Sequence, residues 1–210
     1  SLQHLLLLLQ FGRMRTESGD GFWMALEEPE LHVPPALQRR LVHRIQALSR
    51  QTFVSTHSPM VAALADPQGV VGLRNESGVL TSAPLLSSTL PRATPNSVRK
   101  LFQVNRVETI AAVMHEFVLV PEGRTDYEWL GLLTRAVDLH QGWAAVDECQ
   151  FDAFIGVIST HDGAVVNTVK AIAPLHPNVI AIVDGDAEGV GYAMALEQEV
   201  YPNSEVAPIA

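Results

Sequence analysis

The chain is poor in the residues that hold many small or secreted proteins together. It has one cysteine, Cys149, so no internal disulfide framework is possible, and a single thiol fits a reducing, cytoplasmic setting. It has two lysines, Lys100 and Lys170, and Lys+Arg 14 against Asp+Glu 23 gives a formal net charge of -9. That balance argues against a protein that coats nucleic acid by charge alone. No apolar run approaches the roughly 20 residues needed to cross a bilayer. The leucine run Leu5 to Leu9 is too short, and it lacks the basic start and small-residue cleavage site of a signal peptide. No Gly-x-x-x-x-Gly-Lys-[Ser/Thr] loop occurs, and neither lysine follows a glycine. Nucleotide phosphates therefore have no cradle of that kind.

The chain does have enough apolar sequence for a sizeable core. It has 210 residues, 47% of them hydrophobic, with a mean hydropathy of +0.15. That suits one large domain or two small ones. Ser1 to Met14 reads as a leucine-rich helix and Thr16 to Gly21 as a polar turn. Phe22 to Leu26 reads as a buried strand running into Glu27-Glu28-Pro29. Pro35 to Ser49 reads as a helix whose Leu37, Leu41 and Ile45 repeat at helical spacing. Gln51 to Ser55 is a short strand leading into Thr56-His57-Ser58-Pro59, and a hairpin is expected around Asn75 and Gly78. Leu85 to Pro95 is Ser/Thr/Pro-rich and reads as a linker. Ser97 to Met114 is expected to be helical. Strands are then expected at Phe117 to Val120, Phe154 to Ile158 and Val179 to Val183, alternating with helices at Asp126 to Val137, Val165 to Ala173 and Ala187 to Val200. Short apolar strands alternating with helices predict an α/β fold with a parallel sheet and helices on both faces.

Two constellations of polar residues stand at predicted strand ends. The first is Glu27-Glu28 with His57. Acids at the carboxyl edge of a sheet stand where open α/β folds bind ligands. One acid can hold Mg²⁺ and the next can orient an attacking water. The plainer alternative is that the acids cap a strand and His57 caps the next helix. The second constellation is acidic. Phe117 to Val120 delivers Glu122-Gly123, with Asp126 four positions beyond the glutamate. Val179 to Val183 delivers Asp184-Gly185-Asp186-Ala187-Glu188-Gly189. Three acids in five positions repel one another unless a cation neutralises them. Oxygen-only ligands point to Mg²⁺ or Mn²⁺. The alternative is a solvated acidic turn. Between these segments lies Ile158-Ser159-Thr160-His161-Asp162-Gly163, whose Asp-Gly is also an ordinary turn pair.

Leu26-Glu27-Glu28-Pro29-Glu30-Leu31-His32 and Ser55-Thr56-His57-Ser58-Pro59 resemble the Walker B and switch-histidine segments of ABC-type ATPases, and more closely those of the OLD (overcoming lysogenization defect) nuclease family. Glu122-Gly123-x-x-Asp126 and Asp184-Gly185-Asp186 resemble the Toprim domain shared by topoisomerases, primases and OLD nucleases. Ser97-Val98-Arg99-Lys100-Leu101-Phe102 looks like the OLD segment that precedes Toprim.

The resemblance implies three parts: 1–84 as the C-terminal portion of an ABC-type ATPase domain, 85–115 as linker and helices, and 116–210 as a Toprim nuclease domain. It implies that Glu27 is the Mg²⁺-side acid, Glu28 the catalytic acid and His57 the switch histidine. ATP would be used only by a longer protein carrying the phosphate loop. It implies a DNA endonuclease with two Mg²⁺ or Mn²⁺ ions. Glu122, Asp126 and Asp162 are assigned to one ion, Asp184 and Glu188 to the other, with Asp186 supporting either and Ser159 or Thr160 accessory. It further implies a homodimer, a helicase partner and a role in phage defence or DNA repair. The sequence departs from the family in having no lysine or arginine after Lys170, where OLD nucleases carry a basic residue. Two rivals remain at this point: a catalytically silent DNA-binding or regulatory module, and a Toprim domain of a topoisomerase or primase. The second would need a nucleophilic tyrosine, and Tyr127, Tyr192 and Tyr201 lack a recognisable partner motif.

Overall fold

In a computed structural model, the described residues are 6, 10, 12–15, 22–31, 33–139, 154–161 and 163–200. Contacts divide the chain into two compact units, Ser1–Asp66 and Pro67–Ala210. Residues 12–15 are helical, as expected; the rest of the leucine-rich helix is largely outside the described residues, as is the whole turn at Thr16 to Gly21.

The first unit is a parallel strand pair joined by a helix. Strand β1 (Trp23–Glu27) pairs with β2 (Gln51–Ser55), Trp23 opposite Gln51 and Glu27 opposite Ser55. Parallel neighbours need a crossover, and α1 (Pro35–Leu48) supplies it. Pro35 starts the helix, where a missing N–H costs nothing. The helix buries Val42, Ile45 and Leu48, all in its C-terminal half. Leu37, expected on the buried stripe, is 47% exposed. The spacing was helical, but the face that meets the core is offset from the one expected. Strand β1 also differs from a fully buried strand. Met24 is 7% exposed but Trp23 is 70% exposed and lies edge-on to Phe53, with ring centroids 6.3 Å apart. Side chains alternate across a strand, and among the described residues only one face of this pair is covered. The short helix α2 (Pro59–Ala62) follows, with Ser58 accepting from the Val61 N–H at 3.4 Å.

The second unit opens with the expected hairpin, β3 (Val71–Glu76) antiparallel to β4 (Val79–Pro84). Ser77 and Gly78 have φ of 52° and 88°, the left-handed pair that a two-residue turn demands. Asn75 Oδ1 accepts from the Gly78 N–H at 2.9 Å. The hairpin clusters with the second unit, so the division falls ahead of the Ser/Thr/Pro-rich stretch. That stretch is fastened by Arg99, which donates to the carbonyls of Pro91 and Arg92 at 2.8 Å and of Thr94 at 3.1 Å. Arg99 lies on α3 (Asn96–Phe102), followed by α4 (Arg106–Val113), so the helical region comes in two pieces.

A three-stranded parallel sheet in the order β6-β5-β7 holds the second unit together. Central β5 (Phe117–Pro121) buries Val118 and Val120 completely and Leu119 to 5% exposure. Successive residues point to opposite faces, so both faces of β5 are covered. Strand β6 (Ile155–Val157) lies on one side and β7 (Val179–Ile182) on the other. Helix α5 (Arg124–Leu139) follows β5, α6 (Val165–Ile172) follows β6, and α7 (Ala187–Glu199) follows β7. Helix α6 brings Val165, Val169 and Ile172 into the core with no exposure at all. Gly156 is needed where α4 crosses β6: a Cβ there would stand 2.4 Å from the Ala112 backbone. The fold is thus mixed α/β with small parallel sheets and helices, as the strand–helix alternation predicts.

His176 pins the amino ends of the strands. It is 2% exposed. Its Nε2 lies 2.9 Å from the His115 carbonyl, and its Nδ1 accepts from the Asn178 N–H at 3.0 Å. Asn178 in turn donates to the Glu116 carbonyl and accepts from Val118 N–H. The neutral ring uses both nitrogens. Protonation would set a second N–H against the Asn178 amide. Burial, aided by Arg74, pushes the His176 pKa below its ordinary value of 6.5 despite the bond to the His115 carbonyl, which opposes the shift. A histidine with a lowered folded pKa contributes stability that is complete above 6.5 and is lost as pH falls through the folded value. Urea unfolding between about pH 7.5 and about pH 5 should therefore show the wild type losing more stability than His176→Gln. Equal losses would contradict this.

Candidate functional site

The parallel register decides where the acids go. Pro121 on β5 is opposite Ile182 on β7. Glu122 follows Pro121 directly and Asp184 follows Ile182 by two positions, so both emerge at the carboxyl edge of the sheet. There the Asp184 N–H donates to Glu122 Oε2 at 2.8 Å. This bond ties the two acidic motifs together across 62 residues of sequence. Thr160, after β6, completes the edge. Its hydroxyl donates to the Pro121 carbonyl and lies 3.2 Å from that of Glu122. All three strand ends therefore meet here. Gly163, with φ of 73°, brings the turn after β6 against α7, where a Cβ would stand 3.4 Å from the Tyr192 hydroxyl.

The remaining acids are held locally. Asp126 Oδ2 accepts from the Gly123 N–H at 3.0 Å, closing the turn that starts α5. Asp186 N-caps α7 by accepting from the Gly189 N–H at 2.8 Å. Glu188 accepts from the Tyr192 hydroxyl one turn along. Asp184, Asp186 and Glu188 are exposed, and Glu122 and Asp126 half-buried. Thr160 stands at this edge with Ser159 next to it in the chain, while Asp162 lies outside the described residues.

The donor set is all carboxylate oxygen, the chemistry that suits Mg²⁺ or Mn²⁺. Each of the hydrogen-bonded acids uses only one of its two carboxylate oxygens in the bonds above. Among the described residues, however, no three His, Cys, Asp or Glu side chains converge closely enough to hold a metal ion. The donor chemistry suits a cation, but the donors as placed do not converge on one among the described residues.

The first unit has its own pair. Glu27 ends β1, and Glu28 follows with φ of 40°, a left-handed backbone that glutamate adopts at a cost. Its N–H still donates to Ser55 O at 2.9 Å, prolonging the ladder. His57 Nε2 stands 3.3 Å from Glu28 Oε1. The structure thus joins Glu28 to His57, the acid and histidine singled out from sequence. It also holds an acid that the sequence reading passed over. Glu30 is 9% exposed and accepts from the Thr56 hydroxyl, leaving Oε2 buried with no hydrogen-bond partner among the described residues. An acid in a polar turn carries no sequence signal of burial.

The model of the family described as AAA domain, putative AbiEii toxin, Type IV TA system matches residues 2–63. The N-terminal segment is ATPase-like. The match spans β1, α1 and β2 with both Glu28 and His57. No curated protein matches the chain. No helix among the described residues is long and apolar enough to cross a membrane.

Gly189 is the tightest point of the acidic edge. A Cβ there would fall 2.0 Å from the Asp184 carbonyl, while one at Gly191 would meet nothing within 4 Å. Gly189→Ala is expected to cost about 1–3 kcal/mol in urea unfolding, the range for forced overpacking. Gly191→Ala, in the same helix, should be neutral or stabilising by up to about 1 kcal/mol. Equal effects would show that α7 does not approach Asp184 as described.

Proposed function

We propose that the second unit is a divalent-metal-dependent nuclease of the Toprim type, belonging to an OLD-like ATPase–nuclease. The observation that carries the reading is the 2.8 Å bond from the Asp184 amide to Glu122, which sets both acidic motifs on one sheet edge. The ATPase-like match upstream supports the pairing with a nucleotide-dependent domain. In this reading Glu122, Asp126, Asp184 and Glu188 hold Mg²⁺ or Mn²⁺, with Asp162 and Asp186 as further donors. The bound ions would supply an activated water and charge stabilisation at phosphorus. The chain's own contribution is placement. Glu122 is fixed by the Asp184 amide, its backbone is fixed by Thr160, and Asp186 holds the start of α7 against the edge.

In the first unit, Glu28 and His57 would act on ATP once a phosphate cradle is supplied from elsewhere. DNA is the proposed substrate, and dimerisation and a helicase partner follow only from the family likeness. A silent binding module is the second reading, favoured by the lack of three converged donors among the described residues.

Incubation of supercoiled plasmid with Mn²⁺ or Mg²⁺ separates the two. The nuclease reading expects nicked or linear product, with Glu122→Ala and Asp184→Ala each slowing cleavage about 100-fold or more, the upper end for loss of an outer-shell metal partner. Intact supercoils with wild-type protein, or undiminished cleavage by both variants, would sink it.

A further inference from the structure

An acidic edge on a chain of net charge -9 repels the phosphates it is proposed to cut. Some group near that edge must receive the anion. Most basic groups around it are already committed. Arg99 is spent on three backbone carbonyls. Arg124 pairs with Glu128 at 2.8 Å, and Lys170 pairs with Glu199. Lys100 is different. It is exposed on the last turn of α3, and its ammonium has no ion pair or hydrogen bond among the described residues.

Lys100 lines a shallow crevice with Ser97, Asn105, Ser159, Thr160 and His161. Ser97 stands one turn before Lys100 and shares its helix face. Asn105 occupies the N-cap position of α4, and its side chain makes no capping bond and no other hydrogen bond among the described residues. Ser159 and His161 flank Thr160, whose hydroxyl reaches the backbone of Glu122. The crevice and the acidic edge therefore share one residue as a common wall. The Thr160 hydroxyl is committed to the Pro121 carbonyl, but a cation, an amide, an imidazole and the Ser97 and Ser159 hydroxyls line the crevice beside Leu101 and Ala164, and these are donors suited to an oxyanion.

We propose that this crevice is a phosphate subsite in which Lys100 positions a phosphodiester of a nucleic-acid strand beside the carboxylate edge. The substrate class rests on the nuclease reading above; the anion site itself does not. Lys100 is a positioning residue, acting on a phosphate next to the one at the edge. Its place is invisible in sequence because α3 precedes the sheet and reaches the β6 turn only through tertiary packing.

The test is fluorescence anisotropy of a fluorescein-labelled DNA duplex with the whole chain, in EDTA and at low salt, so that neither metal nor cleavage contributes. Lys100→Gln should weaken binding about tenfold, and the slope of log K against log salt should fall by about one, as expected for one lost phosphate contact. Lys100→Arg should restore both. Lys170→Gln, which breaks a pair already formed, should change neither. Binding of inorganic phosphate that depends on Lys100, without DNA binding, would keep the anion site and remove DNA as its source. Unchanged affinity and salt slope in Lys100→Gln would overturn the proposal, as would failure of the wild type to bind either probe. Lys100-dependent DNA binding in a chain that never cleaves plasmid with Mn²⁺ would remove the nuclease reading and leave this one standing.

Discussion

Parallel pairing of β5 with β7 is the constraint on which the second unit depends. The ladder from Val118 opposite Val179 to Pro121 opposite Ile182 fixes the register. A slip of one residue would turn each side chain of a strand to the other face. Both faces of β5 are filled, with Val118 and Val120 fully buried on one and Leu119 buried on the other, so a slip would exchange side chains of different shape between two packed faces. The same register leaves Glu122 and Asp184 side by side beyond the last paired residues. Core packing and site assembly are therefore one problem solved by one strand pair. His176 and Asn178 secure the opposite ends of the strands, which leaves the carboxyl edge as the place where side chains answer to chemistry rather than to the core.

The sequence made the strand–helix alternation legible because apolar strands of four or five residues ending in acids have few other uses. The same pattern located the edge and the acids on it. It could not say what those acids do once folded. Asp126 and Asp186 are each taken up in closing a turn or capping a helix, a role any aspartate near a helix start can fill. Periodicity gave the helix Pro35–Leu48 and part of its buried face, Ile45 being buried and Leu37 exposed, since the exact phase of a stripe is set by the partner it meets. The strand Trp23–Glu27 read as buried because all its residues before the glutamate are apolar, yet Trp23 is 70% exposed. Glu30 and Lys100 lie inside segments the sequence singled out, but their individual environments were not legible. Each acquires its surroundings from segments distant in sequence.

The two units present the same architectural idea twice: parallel strands ending in polar residues at their carboxyl edge. In the first, Glu28 accepts an unusual backbone conformation and meets His57 at 3.3 Å. Strain retained at such a position is common where chemistry takes place. In the second, the acids are many. The first arrangement is of the kind that handles a nucleotide, and the ATPase-like match covers it.

The central claim is that Glu122 and Asp184 act as one divalent-cation site rather than as two separate acids. Mn²⁺ affinity, measured by titration calorimetry across a double-mutant cycle of Glu122→Ala and Asp184→Ala, tests it most directly. Residues that share one ligand are strongly non-additive. The account predicts that the wild type binds Mn²⁺, that either single change removes most of the affinity, and that the double change adds little further loss. Independent, additive losses, or no Mn²⁺ binding by the wild type, would contradict it.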